Sequence, residues 1–529
     1  MNIQIKLNHN AGYRWWVQGA VAAKGFAYIS GKLYQDQELA DYLNNMGQQQ
    51  AIVNILEQMA GQFAFVIRAP GMFLAAVDHI RSFPLFYEEM KSGLDITDEL
   101  REERIAKSGL DEEQIDFLQH SLYTLENKTL LRNVKQIPAG RYLTLENGKS
   151  VLKEYWRFSY ADQQITNQCE AVNEIAKGYE DVFSKCAELL QGRTAVVPLS
   201  GGYDSRLVVQ KLLDAGIPKE RIVAYTYGDE KMTDVVISKR VAQAYGIRHY
   251  FVPYNKKETV PFFNKQFRTL VLQAGNASSL PCVQEWYAVH VLKQMGILND
   301  SCVMVPGYGG ILPGHYMKEE LLTPQKQWRE LIGRFIKKDF LGVSPMKSAE
   351  QGEKLKDLIM SSSYFKGLKE DGADLGYVMA YERYIYQEEQ SKFIQNAVRC
   401  YEMEGMAWLT PFLFKEQFAT WGKLDNHLRL HNQAFFAYTQ EAFDETVKAI
   451  PFTGSKVRRE KKNVPVPISK IGTLARLIFK REKIHYLLAL VPFPIYFRSG
   501  IKKRWGINDI IGQEYIRVLR EIAGRERRE

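Results

Sequence analysis

The sequence predicts an α/β protein in which a β-rich N-terminal domain precedes a parallel sheet with crossover helices and a helical end. Three observations lead to this prediction. Up to about residue 155, short apolar runs alternate with turn residues, as in antiparallel strands. From about residue 165, short apolar strands alternate with helical patterns, a spacing typical of parallel sheets. From 321 to about 448, helical patterns rich in aromatic residues dominate.

The N-terminal region is predicted from its hairpins. The predicted strands are Phe63–Ile67, Met72–Val77 and Arg141–Leu145. Turn residues at 68–71 join the first two strands, and 146–148 form the turn of a second hairpin. A helical insert is expected near Asp111–His120. These elements define a first domain over residues 1–160.

The second domain, residues 165–455, is predicted from alternating strands and helices. Its first elements are the helix Ala171–Leu190, the strand Thr194–Leu199, the helix Arg206–Ala215, the strand Ile222–Tyr227, the helix Thr233–Tyr245 and the strand His249–Val252. Parallel strands place their carboxyl ends at one edge of the sheet, where ligands of open α/β sheets bind. Residues 456–529 are predicted to form a basic, partly helical tail.

The charge distribution separates this tail from the body. The net charge is +9, yet residues 455–529 hold 19 Lys and Arg against 7 Asp and Glu, while the rest of the chain holds 51 against 54. The body therefore has no basic footprint of the kind that nucleic-acid binding requires. The tail is a candidate for contact with phosphate or an anionic membrane surface, and a solvated surface is the alternative interpretation.

Composition and cysteine content indicate the class and compartment. The chain is 46% apolar and 25% charged, which is ordinary for a globular protein and argues against disorder or a coiled-coil rod. Its five cysteines form no Cys-x-x-Cys pair, which predicts reduced thiols and no metal cage built only from protein ligands. No run of 18 apolar residues and no secretory signal pattern occur, so a cytoplasmic protein is expected.

The strongest chemical signal is a Ser-Gly-Gly-x-Asp-Ser segment between a predicted strand and a predicted helix. Glycines let backbone N–H groups approach a polyphosphate, and the positive end of the helix dipole favours its charge. Asp204 would repel a bare phosphate, so its presence implies a bridging divalent cation such as Mg²⁺. We expect ATP or pyrophosphate to be bound by Leu199, Ser200, Gly201, Gly202, Asp204 and Ser205, with Asp204 as metal ligand.

This segment resembles the PP-loop of ATP pyrophosphatases, enzymes that cleave ATP between its α- and β-phosphates. In those enzymes the end of the next strand cradles the adenine and ribose. The resemblance therefore places Thr226, Tyr227 and Gly228 in the nucleotide pocket.

The whole chain is similar to asparagine synthetases. Gly61–Phe65 and Ala76–Tyr87 resemble their amidotransferase half, and Lys392–Glu402 resembles a helix recurrent in relatives from polysaccharide and natural-product clusters. The resemblance covers roughly residues 10–465. It implies an Ntn-like β-rich sandwich followed by a PP-loop ATP pyrophosphatase domain, with ATP and Mg²⁺ as cofactors.

The first half departs from glutamine-hydrolysing relatives at the nucleophile. In those relatives a cysteine is exposed by removal of Met1, whereas this chain has Asn2 and no cysteine before Cys169. An amide side chain cannot form a nucleophilic thiolate. Ser30 also replaces the first asparagine of an Asn-Gly-Glu-Ile-Tyr-Asn pattern. We expect a degenerate amidotransferase domain without glutaminase activity.

The second half departs as well. Gly307 and Tyr308 begin a segment that resembles the second phosphate-side motif, and both are expected beside ATP. That motif carries an acidic magnesium ligand in relatives, but Ile311 cannot ligate a hard cation. Further along, apolar residues stand where relatives carry two carboxylates and an arginine. This difference indicates either a lost polar network or packing in place of a structural ion pair. The replaced positions are Ala407, Leu409 and Phe414.

Two lysines of the tail are catalytic candidates beside Asp204. The segment around Lys461 and Lys462 resembles a basic loop that brings a lysine to the departing pyrophosphate in relatives. A lysine there would stabilise the charge that develops on the leaving group. A solvated loop is the alternative interpretation.

These observations favour an ATP-dependent, amide-forming ligase that adenylates a small-molecule or peptide carboxylate and uses ammonia or an amine rather than its own glutaminase. A nucleotide-binding pseudoenzyme that acts as a scaffold is the alternative, favoured by the three lost charged positions. A PP-loop enzyme acting on transfer RNA is a third hypothesis. The acidic balance of the body and the absence of paired catalytic cysteines argue against it.

Overall fold

The computed structural model describes residues 2–91, 93–309, 312–323, 327–339, 349–368, 375–453 and 507–524. Within these residues the chain forms three β-sheets, one of them a parallel five-stranded sheet, and a largely helical C-terminal part. The predicted α/β fold class is therefore confirmed.

The strands follow in chain order. They are β1 Asn2–Lys6, β2 Trp15–Gln18, β3 Val21–Ile29, β4 Lys32–Gln35, β5 Ala60–Ala69, β6 Met72–Val77, β7 Phe86–Met90, β8 Gly93–Thr97, β9 Val134–Gln136, β10 Arg141–Glu146, β11 Lys149–Glu154, β12 Thr194–Pro198, β13 Ile222–Gly228, β14 Arg248–Pro253, β15 Cys302–Met304 and β16 Ala407–Trp408.

The helices are numbered in the same way. They are α1 Asp36–Met46, α2 Gln49–Leu56, α3 Glu102–Ser108, α4 Glu112–Ser121, α5 Gln168–Leu190, α6 Tyr203–Asp214, α7 Thr233–Tyr245, α8 Lys256–Gln273, α9 Trp286–Gln294, α10 Leu312–His315, α11 Trp328–Asp339, α12 Ala349–Met360, α13 Leu375–Tyr384, α14 Arg399–Glu402, α15 Lys415–Gly422, α16 Asn426–Arg429, α17 Gln433–Ala442, α18 Glu445–Lys448 and α19 Ile507–Ala523. A π-helical segment, Ile385–Ile394, follows α13.

Two sheets build the N-terminal part. The larger is antiparallel with the order β11-β10-β6-β5-β3-β2, and β4 pairs with β3. The smaller has the order β1-β8-β7-β9, in which β1 and β8 run parallel. Both predicted hairpins are present, and α4 matches the predicted helical insert. The helix begins after Asp111 because the Asp111 carboxylate accepts the N–H groups of Glu113 and Gln114.

Three helices of this part, α1 to α3, were not predicted. The first two cover one face of the larger sheet through a buried apolar stripe. The stripe consists of Leu39, Leu43, Ile52 and Leu56. The helices are only 11 and 8 residues long, so each carries few repeats of the apolar period, and short helices depend on tertiary packing for their stability.

The other face of β3 contacts the second half of the chain. Phe26 lies 6.0 Å from the ring of Phe414, and the Tyr28 hydroxyl donates to Glu188 on α5 at 2.7 Å. Side chains alternate along a strand, so the even-numbered residues of β3 face the second half.

The five-stranded sheet has the order β14-β13-β12-β15-β16, and every neighbouring pair is parallel. Strand β12 lies at its centre, and its buried Val196 and Val197 have the continuous apolar character of a strand covered on both faces. Helices α6 and α7 are the crossover connections to β13 and β14. The predicted strand–helix alternation is confirmed.

The end of the tail packs on the body. Helix α19 contacts α3, α4 and α8 through a buried apolar stripe that includes Ile511, Tyr515 and Leu519. This stretch is therefore docked rather than solvated on all sides. Residues 454–506 of the predicted basic tail lie outside the described residues. Among the helices that are described, none combines the length and apolar character needed to cross a bilayer.

Candidate nucleotide site

The Ser-Gly-Gly-x-Asp-Ser segment forms a turn between a central strand and a helix. Strand β12 ends at Pro198, and α6 begins at Tyr203 after the extended residue Gly202. No side chain caps the N-terminus of α6. The turn lies at the carboxyl edge of the parallel sheet, where backbone N–H groups and the helix dipole favour an anion.

A cavity of about 360 Å³ opens at this edge. Eight predicted site residues line it: Leu199, Ser200, Asp204, Ser205, Thr226, Tyr227, Gly307 and Tyr308. Three others do not line it, namely Gly201, Gly202 and Gly228. The predicted lysines Lys461 and Lys462, and the departure at Ile311, lie outside the described residues. Two distant motifs, near residues 200 and 307, thus meet around one cavity of a size usual for small-molecule sites.

Asp204 is the most distinctive group of this cavity. Its Oδ1 atom is buried and has no hydrogen-bond partner among the described residues. Burial raises the pKa of the carboxyl to about 7. A buried carboxylate oxygen without a donor is costly, and a hard divalent cation is the ligand that such an oxygen prefers. The residue therefore fits the predicted role of magnesium ligand.

Gly307 allows the second motif to approach the first. A Cβ atom at Gly307 would lie 2.9 Å from the backbone nitrogen of Ser205 and 3.2 Å from Cβ of Asp204. Only glycine fits against the first turn of α6 at that distance. The glycine of the second motif is thus required by close packing beside Asp204.

The two serines hold the turn in shape. The Ser205 hydroxyl accepts the N–H of Ser200 at 3.0 Å, and the Ser200 hydroxyl accepts the N–H of Gly202 at 3.2 Å. The two hydroxyl oxygens lie 3.1 Å apart. Both side chains line the cavity, so each can also donate its proton to a ligand.

The backbone N–H of Gly201, a predicted phosphate-binding residue, already has a partner. Its N–H donates to Asp234 Oδ1 at 3.1 Å, and the same oxygen accepts the Thr453 hydroxyl at 2.8 Å. A Cβ atom at Gly201 would lie 1.9 Å from the Thr453 Oγ1 atom. The missing side chain makes room for Thr453, and the N–H group already donates to a carboxylate.

The cavity is strongly acidic. Asp204, Asp234 and Glu285 line it, and no Lys, Arg or His does so among the described residues. Glu285 is buried, which raises its pKa, and its carboxylate accepts the hydroxyls of Tyr225 at 2.5 Å and Tyr308 at 2.8 Å. These carboxyl groups oppose the binding of a polyphosphate when ionised, and divalent cations would offset that repulsion.

Two of these acids were missed by sequence reasoning. Asp234 lies in the first turn of a predicted helix at the ligand-binding edge, a position that could have drawn attention to it. Glu285 precedes α9 in an irregular stretch, and nothing in its local pattern distinguishes it from a surface residue. Its partner Tyr401, whose hydroxyl donates to Glu285 at 2.8 Å, is 116 positions away in the chain.

Thr226 is held by its neighbours. Its hydroxyl lies 2.7 Å from the carbonyl oxygen of Leu199 and 2.9 Å from Nε2 of His249. Burial lowers the pKa of His249 to about 4, so the ring is neutral at physiological pH. His249 is therefore a neutral, hydrogen-bonded and partly buried residue.

At Asn2, the position where glutamine-hydrolysing relatives are expected to carry their cysteine, the chain forms a strand pair. Asn2 pairs with Gly93 across β1 and β8, and a Cβ atom at Gly93 would lie 1.9 Å from the Asn2 carbonyl oxygen. No cysteine occurs before Cys169. At the apolar replacements of the second half, Leu409 and Phe414 are buried in the core, as expected where packing substitutes for a polar network.

We predict a pH signature for Asp204. Its pKa is about 7 in the folded protein and about 4 in an unfolded chain, so only the folded state holds this proton between those pH values. The free energy of unfolding of the metal-free protein therefore falls as pH rises from about 4 to about 7. Asp204→Asn removes this contribution. The difference in Tm between Asp204→Asn and the wild type should grow across that window and level off above it.

Thermal unfolding in a chelating buffer at several pH values measures this difference. Asp214→Asn, on the same helix but with a side chain 41% exposed, is the matched control for the effect of an Asp-to-Asn substitution on the folding of this helix. A Tm difference for Asp204→Asn that stays constant from pH 4 to pH 8 would contradict the assignment.

Comparison with known proteins adds one domain-level relation. The glutamine amidotransferase domain family matches residues 38–156. No curated protein matches the sequence. NMN synthetase from Francisella tularensis matches at 12% identity over 51% of this chain and 97% of that chain, with a TM-score of 0.20.

A second solved structure is glutamine phosphoribosylpyrophosphate amidotransferase from B. subtilis in complex with ADP and GMP. It matches at 10% identity over 56% of this chain and 63% of that chain, with a TM-score of 0.19. TM-scores this low say nothing about the arrangement of the whole chain. Residues 38–156 are thus related to glutamine amidotransferase domains, in the region where the sequence predicts one.

Proposed function

We propose that this protein is an ATP- and Mg²⁺-dependent ligase of asparagine synthetase type that forms an amide without a glutaminase of its own. It adenylates a carboxylate, releases pyrophosphate and joins the acyl group to ammonia or an amine. The absence of a cysteine from residues 1–168 supports an external nitrogen source, because glutamine hydrolysis in such domains needs a thiolate.

One observation carries the proposal: the buried Asp204 Oδ1 atom has no hydrogen-bond partner in the part of the chain that the structure describes, and Asp204 lines a cavity beside the two serines of the turn. Mg²⁺ bound there would neutralise phosphate charge that the acidic lining cannot. Asp204 would hold it together with phosphate oxygens and water. Among the described residues, no cluster of three or more potential protein ligands for a metal ion occurs.

The chain's own groups suit the two steps of such a reaction. In the first step a substrate carboxylate oxygen attacks the α-phosphorus, the bond between the α-phosphorus and the bridging oxygen breaks, and pyrophosphate leaves. Ser200 and Ser205 donate hydrogen bonds to the leaving group. In the second step the amine attacks the acyl carbon and AMP leaves. Thr226 and Tyr227 line the side of the cavity assigned to the nucleoside.

Exchange of labelled pyrophosphate into ATP tests this proposal. We expect the full chain to catalyse exchange when Mg²⁺ and a substrate carboxylate are both present, because adenylation is reversible until the amine attacks. Omission of Mg²⁺ or of the carboxylate should abolish exchange. A panel of sugar acids, amino acids and peptide carboxylates searches for the substrate, and glutamine should release no glutamate.

The second candidate function is a nucleotide-binding pseudoenzyme that acts as a scaffold. The contact of Asp234 and Thr453 with Gly201 favours it, since these side chains fill space that a pyrophosphate would need. Saturable binding of ATP without exchange under any carboxylate would support the scaffold and reject the ligase.

A further inference from the structure

A second cavity, of about 490 Å³, lies between the N-terminal part and the second half of the chain. Its lining includes residues from β2, β3 and the segment 98–103 that follows β8 on one side, and residues of α8 and α14 on the other. It shares no lining residue with the candidate nucleotide site.

Lys24 is an unusual residue for its position. It lies on the face of β3 that also carries Phe26 and Tyr28, where the strand pattern calls for an apolar side chain. Only 2% of it is exposed. Its Nζ atom donates to the carbonyl oxygen of His9 at 2.6 Å, and among the described residues no carboxylate lies within 4 Å of it.

Aromatic rings surround this ammonium group. Nζ lies 5.7 Å from the ring centroid of Trp15 and 5.2 Å from that of Phe83, and both residues line the cavity. Rings at these distances stabilise a cation weakly but accept no further hydrogen bond of ordinary strength. The lysine therefore keeps donor capacity that the protein does not use.

Arg399 lines the same cavity and also has an unused donor. Its Nη1 atom donates to Glu402 at 2.5 Å, and Nη2 donates to the carbonyl oxygen of Ser82. The buried Nε atom has no partner among the described residues. Glu402 attracts the Lys24 ammonium electrostatically but makes no hydrogen bond to it among the described residues. The Glu402 carboxylate accepts Arg399 and the indole N–H of Trp408, and it lies 2.7 Å from Nε2 of His9.

Of the four acids that line the cavity, Glu99 pairs with Arg101, Glu102 pairs with Arg268 and Glu103 is exposed. The fourth, Asp98, is already compensated. The Asp98 carboxylate accepts the N–H groups of Asn8 at 2.9 Å and His9 at 3.0 Å, and the indole N–H of Trp15 at 2.6 Å. At Lys24 and Arg399 the unmet groups are therefore hydrogen-bond donors on cations, and they require an acceptor with negative charge.

We propose that this cavity binds a small organic acid, whose oxyanion is held by Lys24 and Arg399 and whose apolar part lies against Trp15 and Phe83. The proposal does not depend on ATP turnover. It gives the N-terminal part a binding function in place of the glutaminase that its sequence lacks. A carboxylate and a phosphate monoester share the required chemistry, and the two probes below distinguish them.

Benzoate and phenyl phosphate are the probes, and benzyl alcohol is the neutral control. Isothermal titration with the full chain should detect at least one of the two anions and not the alcohol. Lys24→Met should weaken binding of that anion about tenfold or more, the amount that a charged hydrogen bond contributes. Lys149→Met, at an exposed position of β11, should leave binding unchanged.

Lys24→Met should fold, because methionine suits an apolar interface position and removes a desolvated charge. A second readout uses the wild type alone. Burial lowers the pKa of Lys24 to about 8, so the affinity for the anion should fall as pH rises above that value. The other charged or titratable groups that face it are His9, Asp98, Glu99, Arg399 and Glu402.

Each outcome decides the proposal. Tighter binding of benzoate identifies a carboxylate ligand, and tighter binding of phenyl phosphate identifies a phosphate monoester. Failure of both anions to bind the wild type would overturn the proposal. Equal affinity in Lys24→Met and the wild type, or displacement of the probe by ATP with Mg²⁺, would overturn it too.

Discussion

Asp204→Asn should reduce Mg²⁺-dependent pyrophosphate exchange by a factor of about 10² to 10³ or more, the loss expected when a group that stabilises transition-state charge is removed. The amide has nearly the same shape as the carboxylate but carries no charge for the cation. Since the Oδ1 atom of Asp204 makes no hydrogen bond with the described residues, the substitution breaks no contact of the turn. The variant should therefore fold as the wild type does.

Exchange rates at saturating ATP, together with the Tm, measure this prediction. Asp214→Asn serves as the control, because it lies on α6 but pairs with Lys211 at 2.6 Å away from the cavity. The control should retain exchange within about a factor of two. If Asp204→Asn exchanges as fast as the wild type, Asp204 does not hold the metal. Loss of exchange together with a lower Tm would show a folding defect instead.

The sequence was most informative where one local signal sufficed. The Ser-Gly-Gly-x-Asp-Ser pattern places Asp204 at the start of a helix after a buried strand, and the structure brings Gly307 of the second motif against it. Both inferences concern short stretches in which the backbone takes a conformation, or approaches a neighbour to a distance, that glycine allows. The strand and helix order of the parallel sheet could be predicted from another local signal, the alternation of short apolar runs with helical patterns.

Contacts between distant parts of the chain could not be predicted. Thr453 fills the space beside Gly201, although the two are 252 positions apart, as the sequence numbering shows. The Glu285 carboxylate accepts hydrogen bonds from the hydroxyls of three tyrosines that are distant from one another in the chain. The sequence around Lys24 gives no sign of its buried position other than a charged residue within an apolar strand. Such groups become recognisable only when tertiary packing removes their access to water.

The largest expected effect on stability is at Lys392, which joins the two halves of the chain. It lies in the π-helical segment Ile385–Ile394, and its Nζ atom donates to Glu388 at 2.6 Å. The same atom donates to the carbonyl oxygens of Thr124 and Glu126 in the N-terminal part, each at 2.7 Å. The side chains of Lys392 and Glu388 are fully buried. Desolvation lowers the pKa of Lys392 and raises that of Glu388, while their mutual attraction opposes both shifts.

Lys392→Met should lower the free energy of unfolding by about 3–5 kcal/mol, because it leaves a buried carboxylate without its cation and removes the donor of two carbonyl groups. Adding Glu388→Gln should restore part of this loss. The amide oxygen can still accept the Tyr364 hydroxyl, which donates to Glu388 at 2.7 Å in the wild type. Denaturant unfolding measures the change in the free energy of unfolding. Limited proteolysis reports whether the contact between the two halves becomes looser.

Lys423→Met is the matched control, since Lys423 pairs with Glu174 at 2.6 Å with 48% of its side chain exposed. Its loss should change stability by at most about 1 kcal/mol, as for other surface ion pairs. A Lys392→Met variant that unfolds within 1 kcal/mol of the wild type would mean that Glu388 takes up a proton at little cost. In that case an uncharged hydrogen-bonded pair, rather than an ion pair, joins the two halves. Glu388→Gln alone should then change the free energy of unfolding very little.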